Sequence, residues 1–495
     1  MTKYQSIVEC IASHSYIQPD KLCLADSKKA LTYKEVWSDV YGLALHLKQL
    51  GVGKGDCVVI ECTQNADYMV CEFAIQLAGG VFVPLERNAA VARVEEIAGD
   101  VEAKLLIAKK PIIDTVQFMD IETVEEFDYK GEIVLDDVVF PVLEDTAEIL
   151  FSTGTTGKSK GIELSHGNDI ALAENVKYGT KMKENNVELI PMPLSHSHGL
   201  RRTYGNMLNG SSAVFSNGVT LLKQVFDLMD KYSVTSMDLS PSNLSIIFKL
   251  SKDRLGDYAD VMDYIQLGSA PLPENDKEHL ARILPNTRLY NFYGSTEAGC
   301  SCLLDFNETS GKPGCIGKPA VNAQFIVVDE NRNDITATAT FDEPGFLASS
   351  GSINMKGYWK APQLTEEAMA DGFIYTKDLG YIDEDGYIYM LGRKDDVINY
   401  GGVKIAPEEI ESVVVKHPVI ADCACIPVKD ALTGQAPKLF LQMKPGMEYD
   451  KKEFKAFLQE ALDANKQPKF IELIDAIPRT FNGKIQRNKL MELEK

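Results

Sequence analysis

Two kinds of segment alternate through most of the chain, and that alternation narrows the folds open to it. TYKEVWSDVYGLALHLKQLG carries apolar residues at helical spacing and closes on Gly51, DCVVIEC is a short apolar strand, and ADYMVCEFAIQLAGG is helical again. Repeated strand–helix units imply a largely parallel, doubly wound sheet. DLMDKYSVTSMDLSP and DYIQLGSAPLP continue the pattern, each ending in a loop where the carboxyl end of a strand would lie. In such sheets that edge is where ligands bind.

From about Gly386 the texture changes. LGYIDEDGYIYMLGR reads as a hairpin turning at Asp385-Gly386. APEEIESVVVKHP gives a helix with Pro407 suited to its first turn, Glu408 and Glu409 near its positive end, and Pro418 just beyond its last turn. DKKEFKAFLQEALDANK gives another, with Asp450 and Glu453 at capping-box spacing and Phe454, Phe457, Leu458 and Ala461 on one stripe. At 495 residues the chain exceeds what one core normally serves. The expected fold is therefore α/β: a large N-terminal domain of doubly wound sheets, residues 1–394, and a small mobile α+β domain, residues 395–495.

Charge separates the two parts. The whole chain has 51 Lys+Arg against 72 Asp+Glu, a formal net charge of -21; from Asp395 onward the counts are 15 and 16, leaving 36 and 56 in the larger part. Such acidity argues against duplex nucleic acid or an anionic membrane surface as partner, whereas the nearly neutral small domain can approach an anionic substrate unopposed. Glu9 and His14 interrupt the apolar core that a signal peptide needs, and no stretch approaches the roughly 20 apolar residues of a membrane span. A cytoplasmic protein without a membrane span is expected. The ten cysteines form no CxxC pair; Cys300/Cys302 and Cys423/Cys425 are CxC and read as buried reduced thiols.

FSTGTTGKSKG, Phe151 to Gly161, ends like a phosphate-binding P-loop, but Ser152 stands where that pattern requires glycine. A P-loop also opens directly into a helix, whereas GIELS reads as a strand and the helical pattern begins only near Asn168. The expected order is strand, loop, strand. The chemistry still suits phosphate: Ser152, Thr153, Thr155 and Thr156 offer hydroxyls, Gly154, Gly157 and Gly161 permit close backbone approach, and Lys158 and Lys160 bring charge. A flexible solvated turn is the alternative.

Four further stretches follow in order: PLSHSHGL (Pro193 to Leu200), NFYGSTEAG (Asn291 to Gly299), YTKDLGYIDEDGYIYMLGRKDD (Tyr375 to Asp396) and PRTFNGKIQR (Pro478 to Arg487). Together with the loop they resemble the adenylate-forming superfamily, in its AMP-forming acyl-CoA synthetase branch. The resemblance covers nearly the whole chain. It implies two half-reactions: a carboxylate attacks the α-phosphate of Mg-ATP to give acyl-adenylate and pyrophosphate, then the thiol of coenzyme A takes the acyl group. It also implies roles. The loop, Ser152 to Lys158 with Lys160, grips the β- and γ-phosphates. Tyr293 stacks on adenine, Asn291 bonds its edge, and Gly294 lies between them and Thr296, which touches the α-phosphate. Glu297 carries Mg²⁺. Gly268, Ser269 and Ala270 line the adenine and acyl pockets, and Ser240 to Leu244 contribute to the acyl wall. Asp378 accepts the ribose hydroxyls with Arg393 beside it. Lys484 reaches from the small domain to the α-phosphate and carboxylate, Asp395 is the hinge, and Gly401, Gly402 and Lys404 border the thiol entry. His196 matches the histidine that gates the acyl pocket in relatives; a structural histidine is the alternative. Arg201 and Arg202 read as a solvated face, with contact to a polar substrate tail or CoA phosphate the other reading.

Some positions depart from the family pattern. Ser159 replaces the proline of the common GKPKG ending, Lys377 stands where glycine usually precedes the ribose-binding aspartate, and Ser195 replaces a frequent aromatic before His196. None removes a catalytic group. The runner-up function is a stand-alone adenylation enzyme that loads an acyl carrier protein, since coenzyme A and carriers present the same phosphopantetheine thiol.

Overall fold

The computed structural model describes residues 4–494 except 154–158, 271, 307, 310, 311, 313, 394, 395, 397, 401, 402, 431, 432, 463–465, 481 and 482. A first sheet is built from the parallel strands Cys57–Glu61, Val81–Leu85, Leu105–Ala108 and Gln117–Asp120. Thr146–Thr153 joins it in parallel beside Val81–Leu85 and then pairs antiparallel with Ser159–Ser165. The register of that pair ends at Thr153 opposite Ser159. The strand before residues 154–158 is thus paired antiparallel with a strand after them, where a P-loop would lead into a helix.

A second sheet places Ser212–Phe215, Val187–Ile190, Ser236–Leu239, Tyr264–Gly268 and Arg288–Ser295 side by side, all parallel. It continues antiparallel through Gly299–Asp305 and Cys315–Pro319 to the hairpin Phe373–Ile382/Ile388–Arg393. Helices His166–Gly179 and Ser197–Asn209 lie between the two sheets. One apolar cluster joins Val58, Ile60 and Leu150 of the first sheet to Ile190, Ala213 and Phe215 of the second through Ile170, Ala173, Leu200 and Tyr204 of those helices. At roughly 1.5–3 kcal/mol per fully buried large side chain, this layer is what welds the sheets together. The His166–Gly179 helix starts two residues before the expected Asn168. Ser165 Oγ accepts the Asn168 amide at 3.1 Å, and the Asn168 side chain accepts the Ser165 amide at 2.8 Å, a reciprocal cap that fixes the start.

The small lobe has its own antiparallel sheet, Ile398–Tyr400, Val403–Ile405, Ile420–Asp430 and Gly434–Met443, with Phe470–Leu473 added in parallel. Helices Pro407–Val414 and Lys451–Ala461 cover it, and Ile410, Val414, Leu439, Leu441, Phe454 and Leu458 share its core. Asp450 caps the second helix by accepting the amides of Lys452 and Glu453 at 2.8 and 3.0 Å. Cys423 and Cys425 are both buried in this core. No helix among the described residues is long and apolar enough to cross a membrane.

Arg201 and Arg202 correct the sequence expectation of a solvated face: each is only 2% exposed. The helix that carries them is enclosed by both sheets, so there is no outward face, and the two guanidiniums lie near acids from distant strands. Arg202 donates through Nε to Glu188 Oε1 at 2.9 Å and through its terminal nitrogen to the Tyr264 hydroxyl at 3.1 Å. Burial works against its charge, but Glu188, with Tyr264 and Asp238 behind it, holds its pKa above the ordinary arginine value. Arg201 lies beside Glu148, whose pKa burial raises and the Arg201 charge pulls back.

Removing one partner of a buried pair strands the other. Arg202→Ala is expected to destabilise the large lobe by about 3–5 kcal/mol in urea denaturation. Burial already raises the Glu188 pKa, so its carboxyl takes up a proton readily once Arg202 is gone. The deficit should therefore shrink as pH falls, and Glu188→Gln in the same chain should recover part of it.

Candidate active site

Parallel pairing aligns the carboxyl ends of Ser236–Leu239, Tyr264–Gly268 and Arg288–Ser295 at one edge. That edge delivers Ser240 to Asn243, then Ser269 and Ala270, then Thr296 and Glu297. Arg288–Ser295 folds straight back into Gly299–Asp305, and Gly294 makes this possible: a Cβ there would fall 1.8 Å from the Gly299 carbonyl oxygen. The tight return leaves Thr296 and Glu297 half-buried at the turn. Asn291, within the strand, has a buried Oδ1 with no hydrogen-bond partner among the described residues.

Glu297 is held from both ends. Its backbone carbonyl accepts the Met355 amide at 2.8 Å, and its Oε1 accepts the Tyr358 hydroxyl at 2.9 Å. Burial, then the Glu297 carboxylate, pushes the Tyr358 phenol well above its ordinary value, so it stays a donor. Tyr358 pairs with Ile162 on Ser159–Ser165, and Lys160 Nζ stands 5.3 Å from the centre of its ring. Tyr358 thus ties that strand to Glu297. Nothing in the spacing of MKGYWK marks it, so the sequence reading missed it.

Across the cleft, Asp378 and Arg393 are cross-strand partners, and Arg393 Nε donates to Asp378 Oδ1 at 3.0 Å. The Tyr293 hydroxyl donates to Asp378 Oδ2, while its ring lies 6.3 Å from that of Phe325. Burial, then the Asp378 charge, raises the Tyr293 pKa. Asp378 is 8% exposed.

The terminal lobe contributes Lys484. Its tip is anchored by Arg479, which grips Asp422 through Nε at 2.8 Å and a terminal nitrogen at 2.7 Å and donates to the Gly483 carbonyl at 2.6 Å. Gly483 has φ of +82°, and a Cβ on it would come 2.7 Å from Ser242 Oγ of the large lobe. The tip therefore rests on the start of the Pro241–Ser251 helix. Desolvation, then the Arg393 charge, pushes the Lys484 ammonium below the ordinary lysine value, while Asp378 and Glu297 pull it up. Residues far apart in sequence, from both lobes, thus surround one cleft.

His196 is the N-cap of Ser197–Asn209, half-buried, with Nε2 3.7 Å from Glu86 Oε1. Burial lowers its pKa and Glu86 acts the other way. Ser197 Oγ lies 3.3 Å from Thr296 Oγ1. Of the residues singled out from sequence, Gly154, Thr155, Thr156, Gly157, Lys158, Asp395, Gly401 and Gly402 lie outside the described residues, as do the side chains of Ser152, Thr153 and Lys404. Among the described residues no group of His, Cys, Asp or Glu is arranged to hold a metal by itself.

Comparison with known proteins follows the same outline. The family model for AMP-binding enzymes matches residues 12–359, and that for the AMP-binding enzyme C-terminal domain matches residues 409–484. A 2-succinylbenzoate–CoA ligase of Geobacillus sp. (strain WCH70) is 27% identical over 99% of this chain and 98% of its own length. The 4-coumarate–CoA ligase 1 of Narcissus pseudonarcissus is 26% identical over 95% of this chain and 90% of its own. Among solved structures, ATP-bound MatB from Rhodopseudomonas palustris aligns with a TM-score of 0.88 at 24% identity, covering 99% of each chain. The o-succinylbenzoate coenzyme A synthetase of Bacillus subtilis, in complex with ATP and magnesium ion, aligns with a TM-score of 0.84 at 24% identity, covering 97% of this chain and 99% of that one. The two-lobed α/β fold is common to them.

The charges facing Lys484 make its titration a gauge of lobe position. With methyl-labelled lysines followed by NMR, Lys484 is expected to titrate below ordinary lysines. Asp378→Asn should lower that value further and Arg393→Gln should raise it; insensitivity to both would mean the ammonium does not face this cleft.

Proposed function

The chain belongs to the AMP-binding enzyme family, and from that premise we propose that it is an AMP-forming carboxylate–CoA ligase. ATP and a carboxylic acid give acyl-adenylate and pyrophosphate; coenzyme A then displaces AMP to give the thioester. The observation that carries this reading is Lys484, a cation of the terminal lobe standing within electrostatic reach of Asp378, Arg393 and Glu297 of the large lobe.

The chemistry follows from charge. A carboxylate oxygen has to approach a phosphorus surrounded by anionic oxygens, so the protein's task is positioning and neutralisation. Ser152 to Lys158, with Lys160, hold the β- and γ-phosphates. Asp378 accepts the ribose hydroxyls, kept in orientation by Arg393 and Tyr293. Asn291, with its unpartnered Oδ1, suits the exocyclic amine of adenine. Tyr293, Gly294, Gly268, Ser269 and Ala270 border the base and the acyl group. Thr296 faces the α-phosphate, and Lys484 stands between that phosphate and the incoming carboxylate. Glu297 fits Mg²⁺, which prefers hard oxygen donors, and Tyr358 fixes its carboxylate while leaving the second oxygen for the ion. When bound, Mg²⁺ supplies screening of the polyphosphate charge.

The second half-reaction needs room where Lys484 stood. We take residues 1–394 and 395–495 as the two moving bodies, with Asp395 as hinge and Gly401, Gly402 and Lys404 bordering the thiol's entry. His196 gates the acyl pocket. ATP, Mg²⁺ and coenzyme A are accordingly the expected cofactor and co-substrates.

Acid-dependent exchange of pyrophosphate into ATP, followed by thioester formation with free coenzyme A, tests the reading. Thioester on a carrier protein but not on coenzyme A would redirect it to carrier loading, and absence of AMP with every acid would refute it. Lys484→Ala is expected to slow exchange roughly 10²- to 10³-fold, the loss typical of one oxyanion-stabilising donor.

A further inference from the structure

At the same strand edge the roles above use Ser269 but leave His198 and Asp238, which stand in one polar row with it, without a part. His198, in the first turn of Ser197–Asn209, has Nδ1 2.7 Å from Ser269 Oγ and Nε2 2.9 Å from Asp238 Oδ1. Helix, strand and turn each contribute one member. The Asp238 side chain is 0% exposed and that of His198 14%, while Ser269 is half-buried, so the row runs from a sealed acid to a hydroxyl at the cleft. Gly268 leaves the space for it: a Cβ there would come 3.0 Å from His198 Cε1.

This arrangement is costly. Ser269 has φ of +73°, and a non-glycine residue held there costs roughly 1–3 kcal/mol. Asp238 Oδ2 is buried with no hydrogen-bond partner among the described residues. Arg202, one turn along the helix from His198, offsets part of the Asp238 charge but is already paired with Glu188. An apolar acyl chain would be lined more cheaply by apolar side chains. Violations of this kind concentrate at functional sites.

The row also adjoins the proposed reaction centre. Ser197, next to His198, contacts Thr296, and Ser269 follows the strand that neighbours the one leading to Thr296. A carboxylate held between Thr296 and Lys484 would carry its nearest substituents towards Ser269 and His198.

We infer that Ser269 and His198, positioned by Asp238, determine which acid is activated, and that this acid bears a neutral oxygen substituent, a hydroxyl or carbonyl, near its carboxylate. The inference rests on the ligase reading above. With Nε2–H held on the Asp238 carboxylate, Nδ1 accepts the Ser269 hydroxyl proton and leaves the serine oxygen to accept from a substrate hydroxyl; the same O–H can turn instead to donate to a substrate carbonyl. A second carboxylate would face Asp238 and Glu188 against Arg202, a negative sum. An ammonium would find Asp238 sealed behind the imidazole.

Pyrophosphate release measured with matched acids tests this: unsubstituted, hydroxy, oxo, amino and dicarboxylic members of equal chain length. The hydroxy or oxo acid is expected to exceed its unsubstituted isostere in kcat/KM by roughly 10- to 100-fold, the effect of leaving buried polar groups unmatched. Ser269→Gly removes the hydroxyl and relieves the positive φ, so it should collapse this ratio without a folding penalty. His198→Phe should do the same. Asp238→Asn should shrink the ratio through KM for the oxygen-bearing acid more than through kcat. Preference for the unsubstituted, amino or dicarboxylic acid would overturn the inference, as would variants that slow every acid by one common factor. Turnover without any oxygen preference would sink this inference alone; no pyrophosphate release with any acid would sink the ligase reading and this with it.

Discussion

A carboxylate and a triphosphate repel each other, and in the proposed reaction the fold must bring a mobile cation to the point where they meet. We propose Lys484 as that cation. On this reading it does not stay fixed in the cleft, because the thiol of the second step is taken to use the same space. A lysine on a separate lobe answers both demands. Arg479 and Asp422 stiffen its tip, and Gly483 lets the backbone come against Ser242 without a side chain intervening.

The large lobe supplies the fixed half of the site. Parallel strands align their carboxyl ends, and a single glycine, Gly294, turns one strand back on itself so that Thr296 and Glu297 sit at the turn. Behind that edge, the helix Ser197–Asn209 carries unusual polarity for an element enclosed between two sheets. Arg202 meets Glu188 and Tyr264, and the Tyr204 hydroxyl lies within hydrogen-bond distance of both the Glu72 and the Glu148 carboxyl groups, the latter at 2.7 Å. Such a network ties the helix to both sheets in one register, since each polar group must find its partner or bear the desolvation cost alone. The His198 row is the end of that polarity that reaches the cleft.

Local pattern carried much of this into the sequence. Apolar periodicity gave the strand–helix alternation, and the strand after Lys160 distinguished the hairpin from a P-loop. Pro407 and Asp450 marked helix starts because caps are local chemistry. What remained hidden was set by distant partners. Arg201 and Arg202 look like a solvated face until Glu148 and Glu188, from other strands, are placed beside them. Tyr358 gains meaning only when a two-residue strand brings it to Glu297. Asp238 is one acid in a strand until His198 covers it. Gly483 looks like a simple turn glycine, and the contact with Ser242 that demands it spans the two lobes.

The central claim is that the position of Lys484, and not merely its presence, governs adenylate formation. Gly483→Val keeps the lysine but places a side chain where 2.7 Å separates a Cβ from Ser242 Oγ. Acid-dependent pyrophosphate exchange in this variant is the direct measurement. The account predicts a large fall in exchange while ATP binding to the large lobe persists; exchange at the unaltered rate would contradict it.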